Sequence, residues 1–460
     1  MSAFTRIPPR PAAPPASFRG WGRKDAISSP SPAWSPSGSA SRWCRSRSGA
    51  SGSRPALPRH RGRAGAGRAC GRLSPQRAFA GGAGLRGSRP EGSAARQSII
   101  SNYSGYLLIN PGEPSANAAG FGGDWASRQI GLVQAGLDWL RELVATHAIA
   151  CDWQEDVPAI TAAATSRGES SRHATRRRYE AWGIASKAYP AEDLRRILGT
   201  AYYRYGIQSL TRALVQPAAL HRGLADHLPA GVTLLENTTV HSLSGEAPFT
   251  VATSGGEFTA DRVFITNNLH ARAFGLARDR MIGIYTYGDA FTPELDRDQL
   301  ELLGEMPQWG ALPAHRMGTT MRKTGRCLLI RSGDSYERER EPAAVRAMLT
   351  QLYRNRFPAM RTHEFEHVWG GLTAVTHNGA FAFGQVRPGL FVSAGCGGAG
   401  VTRGTIHGKL LAELACGSQS QLLTDRLAQK GPNWLPPEPF RGAGAKAQIA
   451  WEQWLAGAER

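Results

Sequence analysis

No run of about 18 or more apolar residues occurs in this 460-residue chain, so no segment has the length that a membrane-crossing helix requires. Cysteine is scarce. Cys44, Cys70, Cys151, Cys327, Cys396 and Cys416 are scattered without a C-x-x-C pair, which argues against paired thiolate metal sites and against a disulfide framework. Such usage is expected of reduced thiols in a cytoplasmic protein. No charged start followed by an apolar stretch and a cleavage site is present, so classical secretion is not expected. His270, His367, His377 and His407 lack metal-ligand spacing, and no metal site is expected.

Acid is nearly missing from residues 1–97, which hold 17 Arg and one Lys against only Asp25 and Glu91. That segment carries +16 of the chain's formal +19, so the high overall basicity describes it alone and the remaining residues are close to neutral. Long aliphatic runs are missing there too. An Arg/Pro/Gly/Ser/Ala mixture cannot bury enough apolar surface to offset about 1–2 kcal/mol of backbone entropy per residue, so the segment is expected to be disordered.

What is present is concentrated near the other end. Leu390 to Ala394 is a short apolar run, and Gly395, Gly397, Gly398 and Gly400 follow it directly. From Val401 the apolar residues Ile406, Leu410, Leu411 and Leu414 recur at helical spacing, and Gly417 supplies the stop. The order predicts strand, tight turn and helix start, where unpaired N–H groups and about half a positive charge favour an anionic or polarised ligand. A glycine-rich connection with no ligand is the other reading of the turn taken alone. Gly404 to Lys409 falls one residue short of a P-loop and has Leu410 where a magnesium-binding hydroxyl is needed.

Upstream lie Trp369-Gly370-Gly371, Asn378-Gly379 and Gly384, then, further back, a predicted helix from Pro217 to Leu228 with strands at Val232–Leu235 and Thr238–Leu243. A hairpin turned by Ser254-Gly255-Gly256 and a buried strand from Arg262 to Thr266 follow. In this order the motifs resemble the FAD-dependent amino acid and amine oxidases of the D-amino acid oxidase superfamily, with the gamma-glutamylputrescine oxidase-like branch the nearest in pattern. The resemblance covers about Ile99 to the C-terminus.

The resemblance implies an α/β fold in which a Rossmann-like FAD domain of the glutathione reductase type interleaves with an α+β mixed-sheet substrate domain. It places Gly395, Gly397, Gly398, Gly400, Val401 and Thr402 beside the flavin ring, Val240 at the adenine end and Asn267 where the chain approaches the cofactor. Val240 as plain strand core and Asn267 as a strand-end turn residue are the alternatives. Tyr203, Arg204, Tyr205, Tyr285, Arg331, Trp369 and His377 are candidates for the substrate pocket, with Arg331 suited to a bidentate grip on a carboxylate. The implied reaction is oxidation of the C–N bond of a small amine or amino acid, with oxygen or a quinone as electron acceptor.

Such proteins open with a strand, a G-x-G-x-x-G turn and a helix that binds the pyrophosphate. Gly82 to Gly87 fits the spacing, but Ser74-Pro75-Gln76-Arg77 before it is no buried strand and Ser88-Arg89-Pro90 after it opens no helix. The fingerprint is therefore expected to be missing or frame-shifted, and the chain to hold FAD poorly. Three origins of residues 1–97 stay open: an out-of-frame reading in place of the first βαβ unit, a targeting peptide, or a tail for nucleic acid or anionic surfaces. Nucleic acid is disfavoured because aromatics are sparse and no RNA-binding motif accompanies the arginines. The rival to an enzyme is a non-enzymatic remnant with a basic tail.

Divided by these patterns, the chain is expected to comprise the segment 1–97, a helical and substrate-domain part at 98–210, and an FAD-domain part at 211–272. A substrate-domain sheet at 273–376, the C-terminal FAD-domain part at 377–435 and a last helix in 436–460 complete it. Amphipathic spacing of Ile130, Val133, Leu137, Leu140 and Leu143 predicts a helix over 123–147, and Ala148 to Trp153 reads as a strand. Period-two segments at Met281–Tyr287 and Cys327–Ser332 predict a mixed sheet, interrupted by a helix over 343–357. In a last helix over 445–456, Ile449, Trp451, Trp454 and Leu455 are expected to pack on the body.

Overall fold

The computed structural model describes residues 105–108, 125–291, 294–360 and 363–460. The basic segment 1–97 and its glycine spacings lie outside them. In chain order the first half comprises β1 (Tyr106–Leu108), α1 (Trp125–Thr146), β2 (Ala159–Ala163), α2 (Ser166–Ala181), β3 (Ser186–Pro190), α3 (Ala191–Leu198), β4 (Tyr205–Ser209), β5 (Arg212–Leu214) and α4 (Pro217–Asp226). There follow β6 (Val240–Ser244), β7 (Phe249–Thr253), β8 (Gly256–Ala260), β9 (Val263–Ile265), β10 (Ile282–Phe291), α5 (Arg297–Glu301), β11 (Trp309–Pro313), β12 (Thr320–Thr324) and β13 (Cys327–Tyr336). The last elements are α6 (Pro342–Arg356), β14 (Gly370–Val375), β15 (Ala382–Arg387), β16 (Leu390–Ala394), α7 (Gly400–Cys416), α8 (Gln421–Leu427) and α9 (Phe440–Ala456).

The expected mixed sheet has eight strands in the order β14-β10-β13-β12-β11-β2-β4-β3. One face carries the largest core cluster, in which Met321, Leu328, Ile330, Tyr287 and Trp309 meet Val345, Leu349 and Tyr353 of α6 and Leu194 and Leu198 of α3. Alternation along the strands turns Thr286, Arg331, Asp334, Gly371 and Thr373 to the opposite face, consistent with the pairings Thr286–Asp334 and Thr286–Gly371. β15, β16 and β9 form a second sheet in which β16 runs parallel to β9, and β6, β7 and β8 form a third.

α1 supplies the second layer. Val133, Leu137 and Leu140 are buried in a cluster that also contains Val401 of α7, while Leu132 packs with Ile406 and Leu410. The two helices touch at Gly136, where an added Cβ would come within 2.5 Å of the Thr402 carbonyl oxygen. Gly136→Ala is therefore expected to push α1 away from the first turn of α7 and cost about 1–3 kcal/mol, read as a lower denaturation midpoint.

Three expectations need correction. Ala148 to Trp153 is no strand: Ala148 and Asp152 have φ of 48° and 52°, outside the strand region, and the Cys151 carbonyl instead accepts a hydrogen bond from Gln216 N–H at 2.7 Å. Val232 to Leu235 also forms no continuous strand: its pairing is confined to a single bridge at Thr233, with irregular backbone on either side. Finally, α9 buries Ile449 but leaves Trp451 and Trp454 55% and 69% exposed, stacked on one another at 5.0 Å.

Candidate functional site

The strand–turn–helix junction forms as its composition dictates. β16 is buried at Leu390, Phe391, Val392 and Ala394, and Gly395, Gly397 and Gly398 then adopt φ of 88°, 54° and 85°. Left-handed values at three of four positions explain why glycine stands there. α7 starts at Gly400 behind Ala399, which offers no side-chain cap, so the first-turn N–H groups lack the usual side-chain acceptor. A Cβ built on Gly397 or Gly398 would meet nothing within 4 Å. The turn is open on that side.

Its other side is tied down. Gly397 N–H donates to the Ala374 carbonyl at 2.9 Å, and the Thr373 hydroxyl lies 3.6 Å from Cys396 Sγ. These contacts place β14, the edge of the eight-stranded sheet, directly against the turn. Asn268, not Asn267, makes the link to β9: its Oδ1 accepts from Gly395 N–H at 3.0 Å and Cys396 N–H at 3.2 Å. Asn267 has a different property. Its Oδ1 is buried and has no hydrogen-bond partner.

The structure distributes the sequence candidates unevenly. Val401 and Thr402 are buried in the first turn of α7, and Trp369 lies just before β14, its carbonyl accepting from Gly288 N–H. Arg331 is two strands from β14, about 10 Å along the sheet, on the face shared with Thr373. Its Nε is buried without a partner. Tyr285 belongs to the opposite face, stacked on Tyr287 and packed on the α6 core. His377 sits in the exposed turn after β14. Tyr205, on β4, is five strands from β10, about 24 Å away, and its ring stacks on His173.

Tyr203 is a core residue that accepts a hydrogen bond from Arg356, and Arg204 is exposed and paired with Glu169. Neither joins the site. Val240 opens β6, paired with Thr253 and half-buried, in a different sheet from the one that carries the glycine turn. Sequence reasoning missed Asn268, Thr373 and Asp334. The Asn-Asn pair after β9 was a usable signal, whereas nothing marks Thr373 before the sheet order is known. The surface clefts around Arg278 and Trp434 and around Arg195 and Lys323 include no residue of the turn.

Burial pushes the Asp334 carboxyl up to about 6, against the pull of Arg331 and then of Arg340, Arg460 and Arg316. Because its folded value exceeds the ordinary 3.8, the fold favours the protonated form and loses stability as pH rises between those values. Asp334→Asn mimics that form. It is expected to stabilise the protein by about 1–3 kcal/mol at neutral pH and by nothing near pH 3, measured by denaturant titration at both. His407, buried against Arg426, is held well below its ordinary value by burial first and by Arg426 second, and so stays neutral.

Comparison with known proteins agrees with this architecture. A "Probable oxidoreductase OrdL" of Rhizobium meliloti (strain 1021) is 26% identical over 258 residues, 55% of this chain and 59% of the relative. The chain thus matches less than two thirds of that curated protein's length. Glycine oxidase from Geobacillus kaustophilus superposes with a TM-score of 0.58 at 18% identity, covering 70% of this chain and 86% of that one. Iminodiacetate oxidase from Chelativorans sp. BNC1 gives 0.56 at 17%, covering 73% and 90%. At these identities the likeness is one of fold. Among the described residues no helix is long and apolar enough to cross a membrane. The family profile described as "FAD dependent oxidoreductase" matches residues 59–414, a span that begins inside the basic segment and ends within α7. The chain belongs to this DAO family of FAD-dependent oxidoreductases.

Proposed function

We propose that the chain oxidises the C–N bond of a small amine or amino acid with FAD as the hydride acceptor. The observation that carries this reading is the glycine turn. Open space at Gly397 and Gly398 and an uncapped helix start offer donors that suit a flavin ring edge, and the orphaned Oδ1 of Asn267, adjacent in sequence to the Asn268 that bonds the turn, offers an acceptor. That two fold neighbours are a glycine oxidase and an iminodiacetate oxidase supports an amino acid or related amine as substrate.

Gly395 to Thr402 would hold the ring, and Asn267 would accept a hydrogen bond from it. When bound there, FAD would supply a two-electron acceptor for the hydride on the amine-bearing carbon, and the imine so released would be hydrolysed by water to a carbonyl compound and ammonia or an amine. The protein's part is placement. Arg331, with a buried unpaired Nε on the sheet face shared with Thr373, is suited to hold a substrate carboxylate, and Trp369 at the start of β14 is suited to line the same pocket. Oxygen or a quinone takes the electrons onward.

Added FAD tests the reading. No pyrophosphate fingerprint lies among the described residues, so binding is expected near 1 µM or weaker, with the visible flavin band perturbed in excess FAD and lost on gel filtration. A band identical to that of free FAD at saturating protein would contradict it.

A further inference from the structure

The Asn-Asn pair after β9 holds a second role. Asn268 is only 7% exposed and sits at φ 54°, a conformation that few side chains other than Asn and Asp accept. Its amide is committed to the glycine turn: Oδ1 accepts from the N–H groups of Gly395 and Cys396, and Nδ2 donates to Cys396 Sγ at 3.1 Å. Two N–H donors on one atom identify that atom as the oxygen, which fixes the amide's orientation. Gly397 N–H is in turn taken by Ala374, and Ala399 N–H by the Cys396 carbonyl. Three consecutive N–H groups, from 395 to 397, are thereby directed into the protein.

Glycine makes this shape accessible but does not select it, since each glycine is equally free to adopt others. Selection comes from the bonds. We propose that Asn268 is the positioning residue of the turn, which it holds in the one shape that leaves Gly398 and the first turn of α7 facing the cofactor. This role rests on the flavin reading. The amide also ties the ends of the parallel strands β9 and β16 together, so a displacement of either strand would reach the turn directly.

The test compares the full chain with N268G and N268D. Glycine accepts φ 54° freely and removes only the amide, so N268G is expected to remain folded by circular dichroism. Exchange of the Gly395 and Cys396 amides with deuterium should accelerate at least about tenfold, and the dissociation constant for FAD should rise at least about tenfold with a changed visible band. Aspartate keeps the acceptor, so N268D should restore slow exchange and hold FAD within about threefold of the parent chain. Unchanged FAD affinity in N268G, with or without faster exchange, overturns the proposal. If N268G unfolds, N268D decides alone, and a loss of about tenfold or more in FAD affinity overturns it. A parent chain that takes up no FAD defeats the flavin reading instead, and amide exchange in N268G then decides whether the clamp exists.

Discussion

Gly398→Val is expected to weaken FAD binding at least about a hundredfold while leaving the protein folded, a loss of about 2.7 kcal/mol in binding. Two observations separate these effects. The space at the Cβ position is open, since a Cβ added there would meet no atom within 4 Å. At φ 85° the substitution costs about 1–2 kcal/mol of backbone strain, a small part of a typical domain's stability. The side chain would, however, stand on the side from which the proposed flavin would approach the backbone. FAD titration of the visible band together with a thermal melt checks both halves, and a valine variant that binds FAD normally would place the cofactor elsewhere.

Glu459→Ala is expected to cost about 3 kcal/mol of stability. Its Oε1 accepts from Ala164 N–H, Thr165 N–H and the Thr165 hydroxyl at 3.1, 3.0 and 2.9 Å, and Thr165 is itself the cap of α2. The carboxylate, only 3% exposed, sits at the positive end of that helix. Gly168 gives it room, since a Cβ there would collide with Oε1. Removal strands buried donors at about 1–3 kcal/mol each before relaxation. Denaturant unfolding reads the loss, and a change below about 0.5 kcal/mol would show that water replaces the carboxylate without cost.

The parts of the site legible in the sequence are those fixed by local chemistry. Leu390 to Ala394 was readable because a short apolar run met glycines at one end, and α7 because its apolar residues recur at 3.6 spacing up to Gly417. Parts fixed by neighbours were not. Val232 to Leu235 has the composition of a strand, yet composition cannot supply the successive ladder bonds that would extend the single bridge at Thr233 into one. Tyr205 and Tyr285 read alike in sequence, and only the order in which strands assemble separates them by about 24 Å. Asn267 and Asn268 are neighbours of one type. Asn268 alone takes the left-handed conformation and reaches the turn, just ahead of Leu269 and Ala271, which are buried with β9 and β16.

The same distinction explains the aromatic pair on α9. Spacing placed Trp451 and Trp454 near Ile449, but only one side of a helix meets the body, and Ile449 and Ala456 occupy it. Arg331 illustrates the opposite case. Named from the sequence as a pocket candidate, it has its Nε buried on the face that β14 carries to the glycine turn.

The most direct measurement is anaerobic. The chain, saturated with FAD, is mixed without oxygen with a panel of small amines and amino acids that includes glycine and iminodiacetate. Bleaching of the visible flavin band by at least one member, with the matching carbonyl compound formed in equal amount, is the predicted result. Persistent bound, oxidised flavin with every member would contradict C–N oxidation at this site.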